Sequence, residues 1–275
     1  MNDSQPSTSV TLHKEVYGSG DPIVCLHGLG ASQFTWRHLI QPLSQNNKLI
    51  TVDFRGCGKS PKPNDTHYSI EQHANDIYNI IISENLTKLT LMGNSLGGAV
   101  ALLVAIRLTE QDPSRLSRLV LVDSGGDKKY LPLHLKLLRS FLGAPMVYLA
   151  PAKLAAWMVL KVCYYDNKKT TREQVEAYAG AIASPGGRNA LLQTARQCIP
   201  KNFDEILTKL KTITVPTYIL WGRDDRIIPL IVGEQLHQAI PNSTLEIIEH
   251  CGHVPQEEKP DETIARLSKF FATND

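Results

Sequence analysis

The hexapeptide Gly93-Asn94-Ser95-Leu96-Gly97-Gly98 constrains this chain more than any other stretch. Before it, Lys88-Leu89-Thr90-Leu91-Met92 reads as a short buried strand, and after it residues 99–106 (AVALLVAI) read as a buried helix. A G-x-S-x-G pattern between strand and helix demands a turn so sharp that the serine at its tip is strained. The residues at the two glycine positions must be small, because a side chain at either would strike the neighbouring strand or helix. Ser95 Oγ is then expected to stand clear of the sheet edge, within reach of a base and of a substrate.

Further strand-like runs lie at 23–26, 49–53, 119–123, 215–221 and 244–248, with one or two weak early strands in 10–17. Helical patterns fall between them: 33–44, a segment opened at Ser69 by an S-x-x-Q capping box with Ile70, Ala74, Ile77 and Ile81 on one face, and 230–239. A last helix is expected from Asp261 as N-cap, with Ile264, Leu267 and Phe271 facing inward. This alternation predicts an α/β fold with a doubly wound, mostly parallel sheet. Ligands of such sheets bind outside the carboxyl ends of the strands, and 27–30, Ser95 and Asp123 all fall just after strands.

From 126 to 204 the alternation stops. The segment is helical in pattern, rich in large apolar residues, and holds twelve Lys/Arg against five acids in a chain whose net charge is only +2. It reads as a helical cap inserted over the strand edge, which divides the chain into a core of 1–125 and 205–275 and a cap of 126–204. The cap's leucines, Trp157 and Met158 would make an apolar pocket roof. Its basic surface would suit anionic substrates or peripheral contact with a membrane surface.

Composition excludes several classes. The small net charge argues for neither nucleic acid nor an acidic partner. No run of about 18 apolar residues exists to span a membrane. Residues 1–9 are polar and do not resemble a signal peptide. Five scattered cysteines without a C-x-x-C pair indicate neither a disulfide framework nor a zinc site, so a cytoplasmic protein with reduced thiols is expected. The stretch 53–60 ends in Gly-Lys-Ser, but a phosphate loop would need glycine where Asp53 stands. With no H-E-x-x-H and no dinucleotide fingerprint either, no metal or organic cofactor is expected.

Serine is a poor nucleophile at neutral pH and needs a base within hydrogen-bond reach, itself oriented by an acid. Downstream, at two later strand ends, an Asp and a His follow in the order Ser, Asp, His. Together, 93–98, His27-Gly28-Leu29-Gly30, 53–60, 221–229 and Cys251-Gly252-His253 resemble the α/β-hydrolase fold superfamily over nearly the whole chain except the cap. The resemblance implies Ser95 as nucleophile, His253 as general base and acid, and Asp225, three residues after Gly222, as orienting acid. Asp224 is the runner-up, and Asp123 a possible acid of a variant triad. The resemblance further implies an oxyanion hole made by the backbone N–H groups of Leu96 and Leu29, with a supporting role for His27. His250 is read as structural, and Asp53 with Arg55 as a clamp at the rim of the site.

A serine at the elbow argues against the dehalogenase and epoxide-hydrolase branches, which use aspartate there. The expectation is a serine hydrolase that cleaves carboxylic esters of small to medium apolar acyl or aromatic groups through an acyl-enzyme. Asn94 and Arg188 resemble features of carbon–carbon hydrolases that cleave ring-fission products, although that group commonly carries tryptophan where Val254 stands. A ketone-cleaving hydrolase of that kind, or a ligand-sensing receptor on the same fold, are the alternatives. Asn94, Trp157, Met158, Arg188 and Val254 are the expected pocket residues.

Overall fold

The central strands are apolar at nearly every position because both of their faces are covered. A computed structural model describes residues 10–273, so the polar segment 1–9 lies outside the described residues. Its seven strands are β1 (Lys14–Tyr17), β2 (Asp21–Leu26), β3 (Asn47–Val52), β4 (Leu89–Asn94), β5 (Leu116–Val122), β6 (Thr217–Gly222) and β7 (Ser243–Ile248). They form one sheet in the order β1-β3-β2-β4-β5-β6-β7. Only β1 is antiparallel to its neighbour; every other pairing is parallel.

The helices are α1 (Arg37–Leu43), α2 (Ile70–Ser83), α3 (Leu96–Gln111), α4 (Leu133–Arg139), α5 (Gly143–Leu149) and α6 (Ala152–Cys163). They continue with α7 (Arg172–Ala183), α8 (Gly187–Arg196), α9 (Phe203–Lys209), α10 (Ile231–Ala239), α11 (Pro255–Glu258) and α12 (Pro260–Thr273). Strand periodicity divides each apolar run between two cores. Ile23, Cys25, Met92, Val120 and Val122 pack under α1 and α12 with Leu39, Leu43, Leu267 and Phe271. Val24, Leu26, Leu91, Leu119 and Leu121 pack under α2, α3 and α10 with Ile77, Val100, Val104 and Val232. Each fully buried aliphatic side chain contributes about 1.5–3 kcal/mol, so the two layers together dominate the fold's stability.

Local signals hold with small shifts. Ser69 caps α2 by accepting from Gln72 N–H at 3.1 Å, but the Gln72 amide donates to Asp76 at 2.8 Å, so only half of the expected capping box forms. Asp261 lies inside the first turn of α12 and not at its cap. The boundary drawn at 204 falls within α9, because the chain returns to the sheet only at β6.

Order and sequence disagree at one place that matters. β4 pairs with β2, not with β3, so successive crossovers leave the sheet in opposite directions there. Such a switch point opens a crevice at the strand ends. Leu26 pairs with Gly93, and Asn94 with Val122, which brings the loops after β2, β4 and β5 to a common level. Between β5 and β6, helices α4–α8 pack mainly on one another, and residues from all of them line the cavity described below.

Candidate active site

The turn from β4 into α3 has the geometry that the glycine pattern demands. Ser95 sits at φ +57° and ψ −119°, a region that costs a non-glycine residue about 1–3 kcal/mol. A Cβ on Gly97 would lie 2.1 Å from Leu26 O on β2, and one on Gly93 would lie 2.2 Å from Gly97 O in the helix. Only glycine fits either place. The strained residue is held from both sides: its N–H donates to Val122 O at 3.1 Å, and its carbonyl accepts from Gly125 N–H at 2.9 Å.

Two later strand ends supply the remaining polar groups. Asp225 follows β6 in a tight turn and is buried. Its Oδ1 accepts from the N–H groups of Ile227 at 2.7 Å and Ile228 at 3.0 Å, and its Oδ2 lies 2.7 Å from Nδ1 of His253. With Nδ1–H donated to that carboxylate, Nε2 is left as the acceptor on the cavity side. Asp225 makes this contact; the neighbouring Asp224 instead uses its N–H on Cys251 O at 2.9 Å. His253 is positioned through its backbone as well. Its N–H donates to Cys163 O at 2.7 Å, and its carbonyl accepts from Asn94 Nδ2 at 3.1 Å.

Asp123, read as a possible variant acid, has another place. It is fully buried at φ +42°, and its Oδ1 accepts from Gly222 N–H at 2.9 Å. Burial, then the charge of Asp225, push its carboxyl well above the ordinary range, and a hydrogen bond to Asp225 acts in the same direction. A protonated Asp123 supports Asp225 without adding a second negative charge beside His253.

His27 is a neutral strut. Its Nδ1 donates to Gly28 O at 2.8 Å, while Nε2 accepts from Phe54 N–H at 3.1 Å. Burial holds it below the usual histidine range despite the nearby Asp53 charge. The strut ties the loop after β2 to the loop after β3 and steadies Leu29 beside the elbow. A Cβ on Gly28 would come within 3.2 Å of Ser95 Cβ, so this loop lies against the serine. The Leu96 N–H opens α3 and has no partner within the helix. Leu29 and Leu96 both line the cavity. Asp53 and Arg55 are braces: Asp53 accepts from Gln33 and Lys59 N–H at 2.8 Å each, and Arg55 pairs with Asp65 at 3.4 Å and Asp76 at 3.6 Å.

Ser95, His253, Asn94, Met158, Arg188 and Val254 all border one cavity of about 550 Å³ under the helices between β5 and β6. Trp157 does not. It is 46% exposed, with Lys161 Nζ 5.8 Å from its ring centre. In α6 the residues Leu154, Ala155, Met158, Val159 and Val162 form the cavity face, and the helical period turns 157 and 161 to the other side. Arg188 is in the wall but committed: its Nη1 donates to Val147 O and, at 3.0 Å, to Ala150 O, closing the end of α5. Asn94 likewise uses its amide on Val122 O and His253 O, which makes it a positioning residue.

Two groups have no counterpart in the expectations. His134 on α4 reaches the cavity, where burial and the neighbouring His253 push its pKa down. Glu258 is buried and accepts from Gly252 N–H at 2.7 Å, Asp166 N–H at 2.8 Å and Tyr165 N–H at 3.1 Å. It thereby joins the His253 turn to the segment after α6. The local sequence Gln256-Glu257-Glu258-Lys259 carries no signal of this.

Comparison with known proteins agrees with this fold. A 2-hydroxy-6-oxo-2,4-heptadienoate hydrolase of Pseudomonas putida is 30% identical over 264 residues, covering 94% of this chain and 91% of that one. A meta-cleavage product hydrolase of Pseudomonas fluorescens superposes with a TM-score of 0.81 at 24% identity, covering 97% of this chain and 96% of its own. An esterase of Exiguobacterium antarcticum gives a TM-score of 0.80 at 24% identity over 95% of each chain. At these identities the two structures speak to fold alone. The family model described as alpha/beta hydrolase fold matches residues 21–260. With a switch-point sheet, a strained serine after β4 and an Asp–His pair after β6 and β7, this chain belongs to the alpha/beta hydrolase fold family.

Proposed function

We propose that the protein is a serine hydrolase that cleaves carboxylic esters of apolar acyl or small aromatic acids. The observation that carries this reading is the shared cavity: Ser95 and the Asp225-bound His253 border a space whose other walls are almost wholly apolar. In the proposed reaction His253 Nε2 takes the Ser95 proton as Oγ bonds to the ester carbonyl carbon. The carbonyl oxygen becomes an oxyanion facing the N–H groups of Leu29 and Leu96, each worth about 3–4 kcal/mol of transition-state stabilisation. The imidazolium, steadied by Asp225, returns its proton to the departing alkoxide, leaving an acyl-serine. Water then attacks the acyl carbon with His253 again as base; the acyl–Oγ bond breaks as the imidazolium returns its proton to Ser95 Oγ, and the carboxylic acid departs. Residues 126–204 serve in this scheme as a cap that keeps the acyl chain from water.

The test is turnover of p-nitrophenyl esters from acetate to dodecanoate, for the wild type and Ser95→Ala. A chain-length optimum is expected, with a fall of at least about a thousandfold in the mutant. A folded protein that turns over none of these esters would sink the reading.

Carbon–carbon hydrolysis is the second reading, supported by the Pseudomonas putida relative and by Arg188 in the cavity wall. Against it stand the hydrogen bonds that occupy Arg188 Nη1 and the aliphatic Val254 beside His253. A 2-hydroxy-6-oxo-dienoate substrate in the same assay separates the two. Tight saturable binding without turnover would instead mark a ligand-sensing receptor.

A further inference from the structure

Twelve of the sixteen exposed large apolar side chains among the described residues fall between 133 and 165. Leu133, Phe141 and Leu149 are 72, 85 and 82% exposed, and Trp157 joins them from α6. Single exposed leucines need no explanation, but a concentration of this kind along three consecutive helices and the turns that join them marks a contact surface. The same stretch, 128–165, contains Lys128, Lys129, Lys136, Arg139, Lys153 and Lys161 and not one Asp or Glu. Lys128 is paired with Asp204 and Lys153 lies near Glu176, both at the surface; Lys129 and Lys136 are exposed. Apolar and aromatic side chains interleaved with an excess of cations are the chemistry of helices that lie in the headgroup region of an anionic bilayer.

The bend between two of these helices suits lying on a bilayer. Among the described residues no single helix is long and apolar enough to span; α5 and α6 have the length and apolar composition only as a pair, and they meet at a bend of 116°. Arg188 holds that bend by closing the last turn of α5. The same helices also form the mouth of the cavity. Met146, Leu154, Met158 and Val159 are each exposed to solvent and border the space that holds Ser95.

We infer that α4–α6 form a docking surface for anionic phospholipid membranes, which sets the cavity mouth against the bilayer so that an apolar ester enters from the lipid. The entry route rests on the serine-hydrolase reading; the docking itself does not.

The experiment is flotation with extruded vesicles of phosphatidylcholine alone and of phosphatidylcholine mixed with phosphatidylglycerol. Four proteins are compared: wild type, Phe141→Ser/Leu149→Ser, Lys129→Glu/Lys136→Glu, and Ser95→Ala. Wild type and Ser95→Ala are expected to float with the mixed vesicles and far less with phosphatidylcholine. The apolar pair should lower the partition coefficient about tenfold or more, and the charge pair should abolish the preference for the anionic lipid. Both surface variants should keep wild-type turnover of soluble p-nitrophenyl butyrate, which also reports that they are folded. Turnover of a long-chain ester carried in the anionic vesicles should fall with the partition coefficient.

Equal flotation of wild type and both surface variants, or none by wild type, overturns the inference. So does light scattering that finds a wild-type dimer, absent from vesicles, which Phe141→Ser/Leu149→Ser converts to monomer, since the face is then a subunit interface. Loss of all ester turnover with flotation intact would count against the hydrolase reading and leave the docking surface standing.

Discussion

Helices α7 and α8 are tied to the core by buried polar groups, whereas α4–α6 offer solvent a broad apolar and basic face. On the tied side, Glu257 of α11 accepts from Thr35 Oγ1 and Arg37 Nη1 at 2.7 Å each, from Gln174 Nε2 at 3.2 Å, and from the Tyr178 hydroxyl. Thr194 on α8 reaches His73 on α2 at 3.5 Å, and Asn189 donates to Asp65 O at 3.1 Å. Directional bonds of this kind fix a register, and a charge buried among several donors cannot leave without exposing all of them. Apolar exposure on α4–α6 fixes nothing and leaves the mouth of the cavity open to a partner. The comparison teaches that helices of one stretch between β5 and β6 can differ in chemistry, some tied to the core by directional bonds and others turning apolar side chains to solvent.

The sharpest way to break this comparison is at Glu258, which closes the turn before His253. Glu258→Ala leaves three backbone N–H groups unpaired, and a loss of about 3–5 kcal/mol is expected by urea denaturation. A displaced His253 should also lower ester turnover about a hundredfold. A loss below about 1 kcal/mol would mean that Glu258 does not tie the segment after α6 to the turn before His253.

Acidification probes the same side more gently. Burial lowers the pKa of His73 to about 3, and the neighbouring His27 and the Arg55 guanidinium act in the same direction. The unfolded chain takes up this proton as pH falls below about 6.5, while the folded chain stays neutral until about 3. Stability is therefore complete above this window and declines as pH falls through it, by up to about 1.4 kcal/mol per pH unit for one proton. His27 shifts in the same direction. His73→Gln should flatten the fall in urea midpoint between about pH 6.5 and 5 by one proton's worth, and an unchanged slope would assign the fall to other groups.

The smallest effect belongs to the exposed side. Phe141→Ser and Leu149→Ser should each change stability by less than about 0.5 kcal/mol, because neither side chain is covered in the folded protein. A larger loss, read from the thermal midpoint, would show that this face packs against something in the free molecule.

Much of the core was legible because its rules are local. Alternating strands and helices, apolar runs of strand length and the Gly93/Gly97 pair each state what their own segment must do, and the parallel sheet with its strained Ser95 follows. Asp225 and His253 were legible only through the spacing shared with a known family, since nothing near either residue announces that they meet. Trp157 misled for a plain reason. Helix α6 is apolar around most of its circumference, so its sequence alone does not say which side meets the cavity and which meets water.

Sequence by itself determined the element order, the strained serine and the strand ends from which the polar groups project, because backbone sterics and side-chain period act within a few residues. Only the tertiary structure decided the contact of Asp225 with His253, the commitment of Arg188 and Asn94 to backbone carbonyls, and the burial of Glu257 and Glu258. Each of these depends on a partner far along the chain, with His253 Nδ1 and Asp225 twenty-eight residues apart and Glu257 and Thr35 separated by 222. A carboxylate's environment is set by whichever donors the packed chain brings to it, and local sequence does not encode those donors.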